Sequence, residues 1–262
     1  CNTRVQANLH FCPHCGNKMQ VSTSILVPTE PMTPLPLSTS EELLYFEEDL
    51  RLPWVGREEE LTEVESFLYG DRLILENSGP LGIGKTTILT EVVHRYGQDA
   101  MCIYCGTDPS QTRRPWFPVR QLFAKLLSLH DVPSETEVLD VLAGYAIEPD
   151  DVMHIVQFLT LKPMFSDMER AVRLRERITS ILRLLLACIG NVPHLFIFDD
   201  VHEYDYMSRM FIDRLVSVVR GFPLKVLVAS EIPHIQPGGV GKSLQLKRLN
   251  DPLVYSLVLQ SI

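Results

Sequence analysis

The residues best suited to chemistry form one glycine-rich run, Gly79-Pro80-Leu81-Gly82-Ile83-Gly84-Lys85-Thr86-Thr87. Its first eight residues match the pattern G-x-x-x-x-G-K-[ST], in which the backbone N–H groups of a loop surround phosphate groups. Lys85 would reach the terminal phosphates as a cation, and the Thr86 hydroxyl would ligate Mg²⁺. An apolar run precedes the loop and a helical pattern follows it, which is the context that such a loop requires. The sequence therefore predicts nucleotide binding by this run.

A pair of acidic residues, Asp199 and Asp200, follows the apolar run His194-Leu-Phe-Ile-Phe. The run predicts a buried strand whose carboxyl end lies beside the phosphate-binding loop, where the Asp199 carboxylate can hold the water shell of Mg²⁺. Asp200 could orient or deprotonate the attacking water. Paired acids after a strand also cap a following helix, which is the alternative for this pair. Glu203 and Asp205 are further candidate acids, but their positions favour capping or solvation of the next helix.

A third candidate is Ser230, which ends the apolar run LKVLVAS. A polar residue at the end of a strand next to that of Asp199 could sense the terminal phosphate of the nucleotide. The alternative is an ordinary turn residue at a strand end. Ser230 joins Lys85 and Asp200 as the candidate catalytic residues.

Three of the six cysteines, Cys1, Cys12 and Cys15, lie within the first fifteen residues. Cys12 and Cys15 form a C-x-x-C knuckle that is followed by a glycine, a pattern that favours tetrahedral Zn²⁺ over a disulfide. Cys1 would supply a third ligand, and the fourth would be a cysteine outside this sequence, His10 or His14. The alternative is three reduced thiols without a metal.

The remaining cysteines, Cys102, Cys105 and Cys188, are expected to pack in the core. Cys102 and Cys105 also have C-x-x-C spacing, but on a strand their side chains would point to opposite faces. The sequence therefore predicts no metal site for this pair.

Composition limits the possible classes of protein. The chain has 262 residues, of which 45% are hydrophobic and 22% charged, and its net charge is −9. These values exclude wholesale disorder and fibrous repeats. The acidic balance argues against a chain whose whole surface neutralises nucleic-acid phosphates, and a local basic patch stays open. No apolar run reaches the roughly 18 to 20 residues that span a bilayer, so we expect a soluble protein. Nothing in the sequence indicates an oxidising compartment, so we expect a cytoplasmic location. Because the first residue is Cys1 rather than methionine, we also expect a fragment of a larger protein.

The distribution of residue types divides the chain into three parts. Residues 1–19 form a cysteine-rich unit, residues 20–52 a linker rich in Pro, Ser and Thr with an acidic run, and residues 53–262 the globular domain. In this domain, short apolar runs alternate with helical patterns, which favours an α/β fold with a mostly parallel sheet covered on both faces. The expected strands are residues 73–76, 101–105, 194–198 and 224–230.

Residues 117–190 predict a helical insertion between two of these strands, with its clearest helix at 167–189. Other helices are expected at 85–96 and at 206–221, and residues 56–68 show helical spacing. The aromatic residues of the run 113–117 should anchor the helix that follows it. Four arginines of the long helix are expected to form a solvated face: Arg170, Arg173, Arg175 and Arg177.

Four segments in this order resemble one protein family: WVGREEELTEVESFL, ENSGPLGIGKTTIL, HLFIFDDVHEYD and LKVLVASE. Over residues 53–262 the chain resembles the origin-recognition-like branch of the AAA+ ATPases, in particular the signal-transduction ATPases with numerous domains (STAND). The resemblance implies a P-loop NTPase fold of three layers, α/β/α, with ATP or ADP and Mg²⁺ as ligands. It also implies that Val55, Gly56 and Arg57 lie against the adenine and ribose, and that a helical lid is truncated at Ile262.

The N-terminal knuckle is similar to the second half of a zinc ribbon. A zinc ribbon followed by such an ATPase domain is similar to the arrangement in large signalling proteins, some of which carry adenylyl cyclase or protein kinase domains. The resemblance implies a slowly hydrolysing switch that gates other domains or protein partners, or forms a homo-oligomer with ATP bound. Two other functions stay open: an origin-recognition-like DNA-binding ATPase, which the net acidity disfavours, and a nucleotide-binding scaffold without turnover.

Overall fold

The computed structural model describes residues 54–97, 99–107, 114–160, 170–233, 241–251 and 253–254, without the side chains of residues 170–173. Its strands are β1 (Ile74–Ser78), β2 (Met101–Cys105), β3 (His194–Phe198), β4 (Leu224–Ser230) and β5 (Gly241–Gln245). They form a sheet in the order β2-β3-β4-β1-β5, and every neighbouring pair is parallel. The carboxyl ends of all five strands therefore lie at one edge, as the predicted parallel sheet requires.

The helices in the described residues are α1 (Glu58–Leu68), α2 (Lys85–Tyr96), α3 (Phe117–Leu126), α4 (Glu135–Leu142), α5 (Pro149–Leu159), α6 (Arg170–Ile189) and α7 (Tyr206–Val218). Apolar residues at intervals of three recur within them, as Leu61, Val64 and Phe67 do in α1, so that one stripe is buried. Helices α3 to α6 lie between β2 and β3, within the residues 117–190 for which the sequence predicts helices.

Each face of the sheet has its own hydrophobic cluster, because successive strand residues point to opposite sides. Ile74 belongs to a cluster with side chains of α3 to α7, and Leu75 belongs to a cluster with side chains of α1 and α2. The sheet is therefore the middle layer of a three-layer α/β/α arrangement, and the predicted P-loop NTPase fold class is confirmed.

The sequence predicts that Asp205 caps or solvates a helix and that aromatic residues of the run 113–117 anchor one. Asp205 caps α7, since its side chain accepts the N–H groups of Met207 and Ser208. Trp116 is buried before α3 and packs edge-to-face on Phe158, with ring centroids 5.5 Å apart.

The structure corrects several expectations. Strand β5 was not predicted, because its sequence GKSLQ has one apolar residue and, at the edge of the sheet, it is only partly buried. Strand β1 ends at Ser78 rather than at residue 76. Helix α7 ends at Val218, before the turn that contains Gly221 with a φ of 89°. Arg177, expected in solvent, is 5% exposed because its guanidinium packs between helices and donates to Gln157 Oε1.

A separate finding concerns membranes. Among the helices that the structure describes, none combines the length and apolar character needed to cross a bilayer.

Candidate nucleotide-binding site

The glycine-rich loop leaves the sheet from its interior, because β1 lies between β4 and β5. The N–H of Gly79 donates to the Ser230 carbonyl (3.2 Å), and the N–H of Leu246 donates to the Ser78 carbonyl (2.7 Å). Gly82 and Gly84 have φ values of 74° and 99°, in the left-handed region that favours glycine. A Cβ added to either residue would meet no atom within 4 Å. The space beside both glycines is therefore open to a ligand.

Lys85 begins α2 and is 5% exposed. Its ammonium donates to the carbonyl of Gly79 (3.0 Å) and to that of Pro80 (3.3 Å), so the loop curls around the cation. Neutral carbonyls are weaker partners for an ammonium than phosphate oxygens are. The first N–H groups of α2 lie at the same place and add the positive end of the helix dipole.

Three side chains from three elements meet where α2 begins. Thr86 Oγ1 and Tyr104 OH each donate to Asp199 Oδ2 at a distance of 2.7 Å. Asp199 directly follows β3, and Tyr104 lies in the neighbouring strand β2, opposite Ile197 in the register. The structure thus brings the two predicted Mg²⁺ residues into direct contact and adds a tyrosine to them.

The Asp199 carboxylate is withdrawn from water, with an exposure of 3%. Burial raises its pKa, and the hydrogen bonds from Thr86 and Tyr104 oppose that rise. The N–H of Asp200 donates to Oδ1 (2.9 Å). A buried carboxylate of this kind is stabilised by a nearby cation.

Asp200 adopts a left-handed backbone conformation, with φ of 52° and ψ of 45°, and precedes a short 3₁₀ turn at Val201–Glu203. Such a conformation is uncommon outside glycine, is best tolerated by Asn and Asp, and is frequent at functional sites. The pKa of Tyr104 is raised, chiefly by burial and then by its interactions with the charged Asp199 carboxylate. The charge of Asp200 adds a smaller contribution in the same direction.

Ser230 lies at the edge of the site, but its hydroxyl is turned to its own chain. The side chain is 1% exposed, and its Oγ donates to the Ile232 carbonyl (2.7 Å). Only its main-chain carbonyl contacts the loop, through Gly79. A phosphate-sensing role would require the hydroxyl to exchange its present acceptor.

The segment that the resemblance places against the base lies beside the loop. The buried guanidinium of Arg57 donates to the Ile83 carbonyl (2.9 Å) and to Glu60 Oε1 (2.7 Å). Gly56 has a φ of 72°, and a Cβ added there would lie 2.5 Å from Leu253 Cδ1. Val55, the residue before it, is half-buried.

Tyr104 and Leu253 are the contacts of this site that sequence reasoning missed. A tyrosine one residue before the end of a strand is a weak signal, because its contact with Asp199 depends on the pairing of β2 with β3. Leu253 is nearly two hundred residues from Gly56, and no local pattern relates them.

Among known protein families, the one described as AAA ATPase domain matches residues 53–228 of the chain. The chain belongs to this AAA ATPase domain family. The matched region is more than half of the sequence and contains the glycine-rich loop, Asp199 and Asp200. A comparison of this chain with curated proteins finds no match.

Solved structures similar to this AAA ATPase domain include a DNA replication initiation factor and Drosophila ORC bound to DNA. The first is 11% identical, with a TM-score of 0.40, over 78% of this chain and 50% of that chain. The second is 15% identical, with a TM-score of 0.33, over 74% of this chain and 43% of that chain. The chain thus spans half the length of the replication initiation factor.

The donor set of this AAA ATPase domain suits a nucleotide with Mg²⁺. Hydroxyl and carboxylate oxygens are the ligands that Mg²⁺ prefers, and Thr86 and Asp199 present both within one hydrogen bond. The open space at Gly82 and Gly84 and the buried ammonium of Lys85 suit phosphate groups.

The cysteines give no metal centre in the part of the chain that the structure describes, where no three His, Cys, Asp or Glu side chains are arranged to hold a metal ion. The predicted zinc ligands Cys1, Cys12 and Cys15 lie outside that part. Cys102 and Cys105 belong to the two separate hydrophobic clusters, as their alternation on β2 predicts. Cys105 is a fully buried core residue, and this burial raises the pKa of its thiol to about 12.

Proposed function

We propose that this AAA ATPase domain binds Mg²⁺ and ATP and hydrolyses ATP slowly, as the regulatory switch of a multidomain signalling protein. The observation that carries the nucleotide part of this proposal is the 2.7 Å hydrogen bond between Thr86 Oγ1 and Asp199 Oδ2. It joins the hydroxyl at the end of the phosphate-binding loop to the carboxylate at the end of β3. The signalling part rests on the sequence resemblance to STAND ATPases.

Each residue of the proposed site has one task. Gly79 to Thr87 surround the phosphates with main-chain N–H groups, and Lys85 exchanges its carbonyl partners for phosphate oxygens. Thr86 and Asp199 hold Mg²⁺, which would neutralise phosphate charge when bound. Asp200 orients or deprotonates the attacking water, and the Ser230 hydroxyl senses the terminal phosphate.

The base and ribose lie, in this proposal, against Val55, Gly56 and Arg57. Arg57 supports this assignment because it donates to the Ile83 carbonyl and so ties this segment to the loop. The preference for ATP over GTP follows from the family resemblance.

A switch requires a ligand that binds two conformations with different affinity. Lys85 and Ser230 now donate to main-chain carbonyls of Gly79, Pro80 and Ile232. Both would exchange these partners for the terminal phosphate, so the ATP and ADP forms would differ at the loop and at the end of β4. We propose that other domains of the same protein, or partner proteins in the cytoplasm, read this difference.

The division into residues 1–19, 20–52 and 53–262 and the zinc site at Cys1, Cys12 and Cys15 belong to the same proposal. Their support is the C-x-x-C spacing and the composition of the linker. Elemental analysis of the purified chain should find about one zinc per chain, and a Cys12→Ser variant should lack it. Zinc-free wild-type protein would contradict the site.

Phosphate release in a single turnover of ATP tests hydrolysis by the purified chain. Wild type should release phosphate slowly in the presence of Mg²⁺. Asp200→Asn should release it at least about 100-fold more slowly, a loss in the range seen when a general base is removed. Its ATP affinity should stay within about threefold of wild type, because the carboxylate acts on the water rather than on the bound phosphates.

Asp205→Asn is the matched control, since Asp205 is also an acid near the end of β3 but caps α7. It should hydrolyse ATP like wild type, because the asparagine oxygen can still cap α7. It should also lose some stability, because the asparagine NH₂ group cannot accept the Trp116 N–H that now donates to Asp205 Oδ2 (3.0 Å). If wild type binds ATP and releases no phosphate, the chain is a nucleotide-binding scaffold. If Asp205→Asn is as slow as Asp200→Asn, the assignment of the base is wrong.

A further inference from the structure

Tyr104 contacts the Asp199 carboxylate at the centre of the proposed site. The proposed function assigns roles to the loop and to the acidic pair, but none to this tyrosine. Its hydroxyl donates to the same oxygen, Oδ2, that accepts the hydrogen bond from Thr86. The N–H of Asp200 donates to Oδ1. Among the described residues, three donors therefore fix this carboxylate.

The number of acceptor positions shows what these donors leave available. A carboxylate has about four acceptor positions, two on each oxygen. Thr86 and Tyr104 use both positions on Oδ2, and Asp200 uses one on Oδ1. Of the bonds from described residues, none uses the last position on Oδ1, which can face a cation or its water shell. Because the carboxylate torsion is otherwise broad, these donors also select its orientation.

The pairing of strands β2 and β3 places the Tyr104 ring within reach of the Asp199 carboxylate. β2 pairs with β3 so that Tyr104 lies opposite Ile197, two residues before Asp199 on the same face of the sheet. A diagonal neighbour at this spacing is within reach of an aromatic side chain.

Helix α3 holds the end of β2 in this position. Lys125 Nζ donates to the Tyr104 carbonyl (2.7 Å), and the N–H of Gly106 donates to Gln121 Oε1 (3.1 Å). The ring itself lies against Gly106, where an added Cβ would be 3.1 Å from Tyr104 Cε1. These bonds fix the main chain at the Tyr104 carbonyl and at Gly106, and the lack of a side chain on Gly106 leaves room for the ring.

We propose that Tyr104 is a positioning residue of the Mg²⁺ site, whose hydroxyl holds Asp199 in the orientation that binds the cation together with the nucleotide. This inference rests on the proposed function. Tyr104 acts through Asp199 and not on the phosphates, so its removal should affect the contribution of Mg²⁺ to binding and spare binding without Mg²⁺.

The test is the Mg²⁺ enhancement of ATP binding, defined as the dissociation constant of ATP in EDTA divided by that in saturating Mg²⁺. It is measured by calorimetry on the full chain and needs no turnover. Tyr104→Phe removes one oxygen and keeps the ring. We expect its Mg²⁺ enhancement to be about tenfold smaller than that of wild type, since a hydrogen bond to a charged group is worth about this much or more. Its dissociation constant in EDTA should stay within about twofold.

Tyr204→Phe is the matched control, because Tyr204 is a buried tyrosine near the same strand end whose hydroxyl donates to a main-chain carbonyl rather than to the Asp199 carboxylate. Its hydroxyl donates to the Cys105 carbonyl (2.8 Å). The variant should lose stability, as Tyr104→Phe does, but keep the wild-type Mg²⁺ enhancement. A second test, Gly106→Ala, keeps the hydroxyl but crowds the ring, and should reduce the enhancement about two- to fivefold.

The outcomes separate this inference from the proposed function. Wild type that binds no ATP would overturn both. Wild type that binds ATP, with an unchanged Mg²⁺ enhancement in Tyr104→Phe, would overturn the role of Tyr104 alone. The same follows if Tyr204→Phe reduces the enhancement equally, or if Tyr104→Phe weakens binding in EDTA as much as in Mg²⁺.

Discussion

The glycine-rich loop and the acidic side of the site meet at Thr86, yet different kinds of contact hold them. The loop is held through its own main chain: the Gly79 N–H donates to the Ser230 carbonyl, and two loop carbonyls accept hydrogen bonds from the Lys85 ammonium. Side chains hold the acidic side, where Thr86 and Tyr104 both donate to Asp199. The loop therefore depends on backbone geometry within one run of sequence, whereas the acidic side depends on the register of neighbouring strands.

The largest effect should come from the cation inside the loop. Lys85→Ala removes the ammonium that would pair with phosphate, and we expect ATP affinity to fall by at least about 100-fold, or about 2.7 kcal/mol. Lys225→Ala is the matched control, because the Lys225 ammonium also donates to two main-chain carbonyls, those of Gly70 and Arg72. These carbonyls belong to a different loop, between α1 and β1, at the amino-terminal end of the strands. Equilibrium binding of ATP should be normal in this control. An equal loss in both variants would mean that Lys85 serves only the fold.

A smaller effect is expected from the backbone of the loop. Gly84→Ala places a side chain at a φ of 99°, which should lower the free energy of unfolding by about 1–2 kcal/mol. The new methyl group also enters the open space beside the loop, so ATP affinity should fall about tenfold.

Gly221→Ala separates strain from binding, because Gly221 has a φ of 89° and equally open surroundings. Urea unfolding should show a similar loss of stability in both variants, with normal ATP binding in Gly221→Ala. Normal ATP binding by Gly84→Ala would show that the open space beside Gly84 does not hold phosphate. The assignment of the loop as the phosphate-binding site would then be wrong.

The smallest effect concerns the buried carboxylate and its dependence on pH. Burial raises the pKa of Asp199 in the folded protein above its value in the unfolded chain. The stability that this group contributes is therefore fully present below the unfolded pKa and is lost as pH rises through the folded pKa. In EDTA, urea unfolding should show that wild type loses stability relative to Asp199→Asn as the pH is raised from about 4, the ordinary pKa of an Asp side chain, to 8.

At pH 8, saturating Mg²⁺ and ATP should make wild type more stable to urea than Asp199→Asn, because ligand binding to the folded state stabilises wild type. A difference between wild type and Asp199→Asn that does not change with pH would contradict the electrostatic character assigned to the acidic side.

The sequence predicts the loop better than it predicts the acidic side, for a physical reason. Gly79 to Thr86 carry their conformation in their own residue types, and the apolar runs of β2, β3 and β4 identify buried strands without knowledge of their partners. Tyr104 acquires its contact only when β2 pairs with β3 in one register. The polar sequence of β5 becomes a strand only because β1 offers it an edge.

Arg177 shows the same limit in a helix. Its charge predicts a solvated position, but the packing of α5 against α6 buries it and supplies Gln157 as its partner. Local pattern therefore identifies which elements form, while contacts between elements decide which polar side chains are buried.

The contact between Gly56 and Leu253 gives the domain a mechanical property. The first and the last described segments of the chain touch there, beside the loop that Arg57 secures. Tension applied to either end of the domain would act on this contact before it reached the sheet. A nucleotide bound against residues 55–57 would resist such tension, so the force needed to separate the two segments should rise with nucleotide concentration.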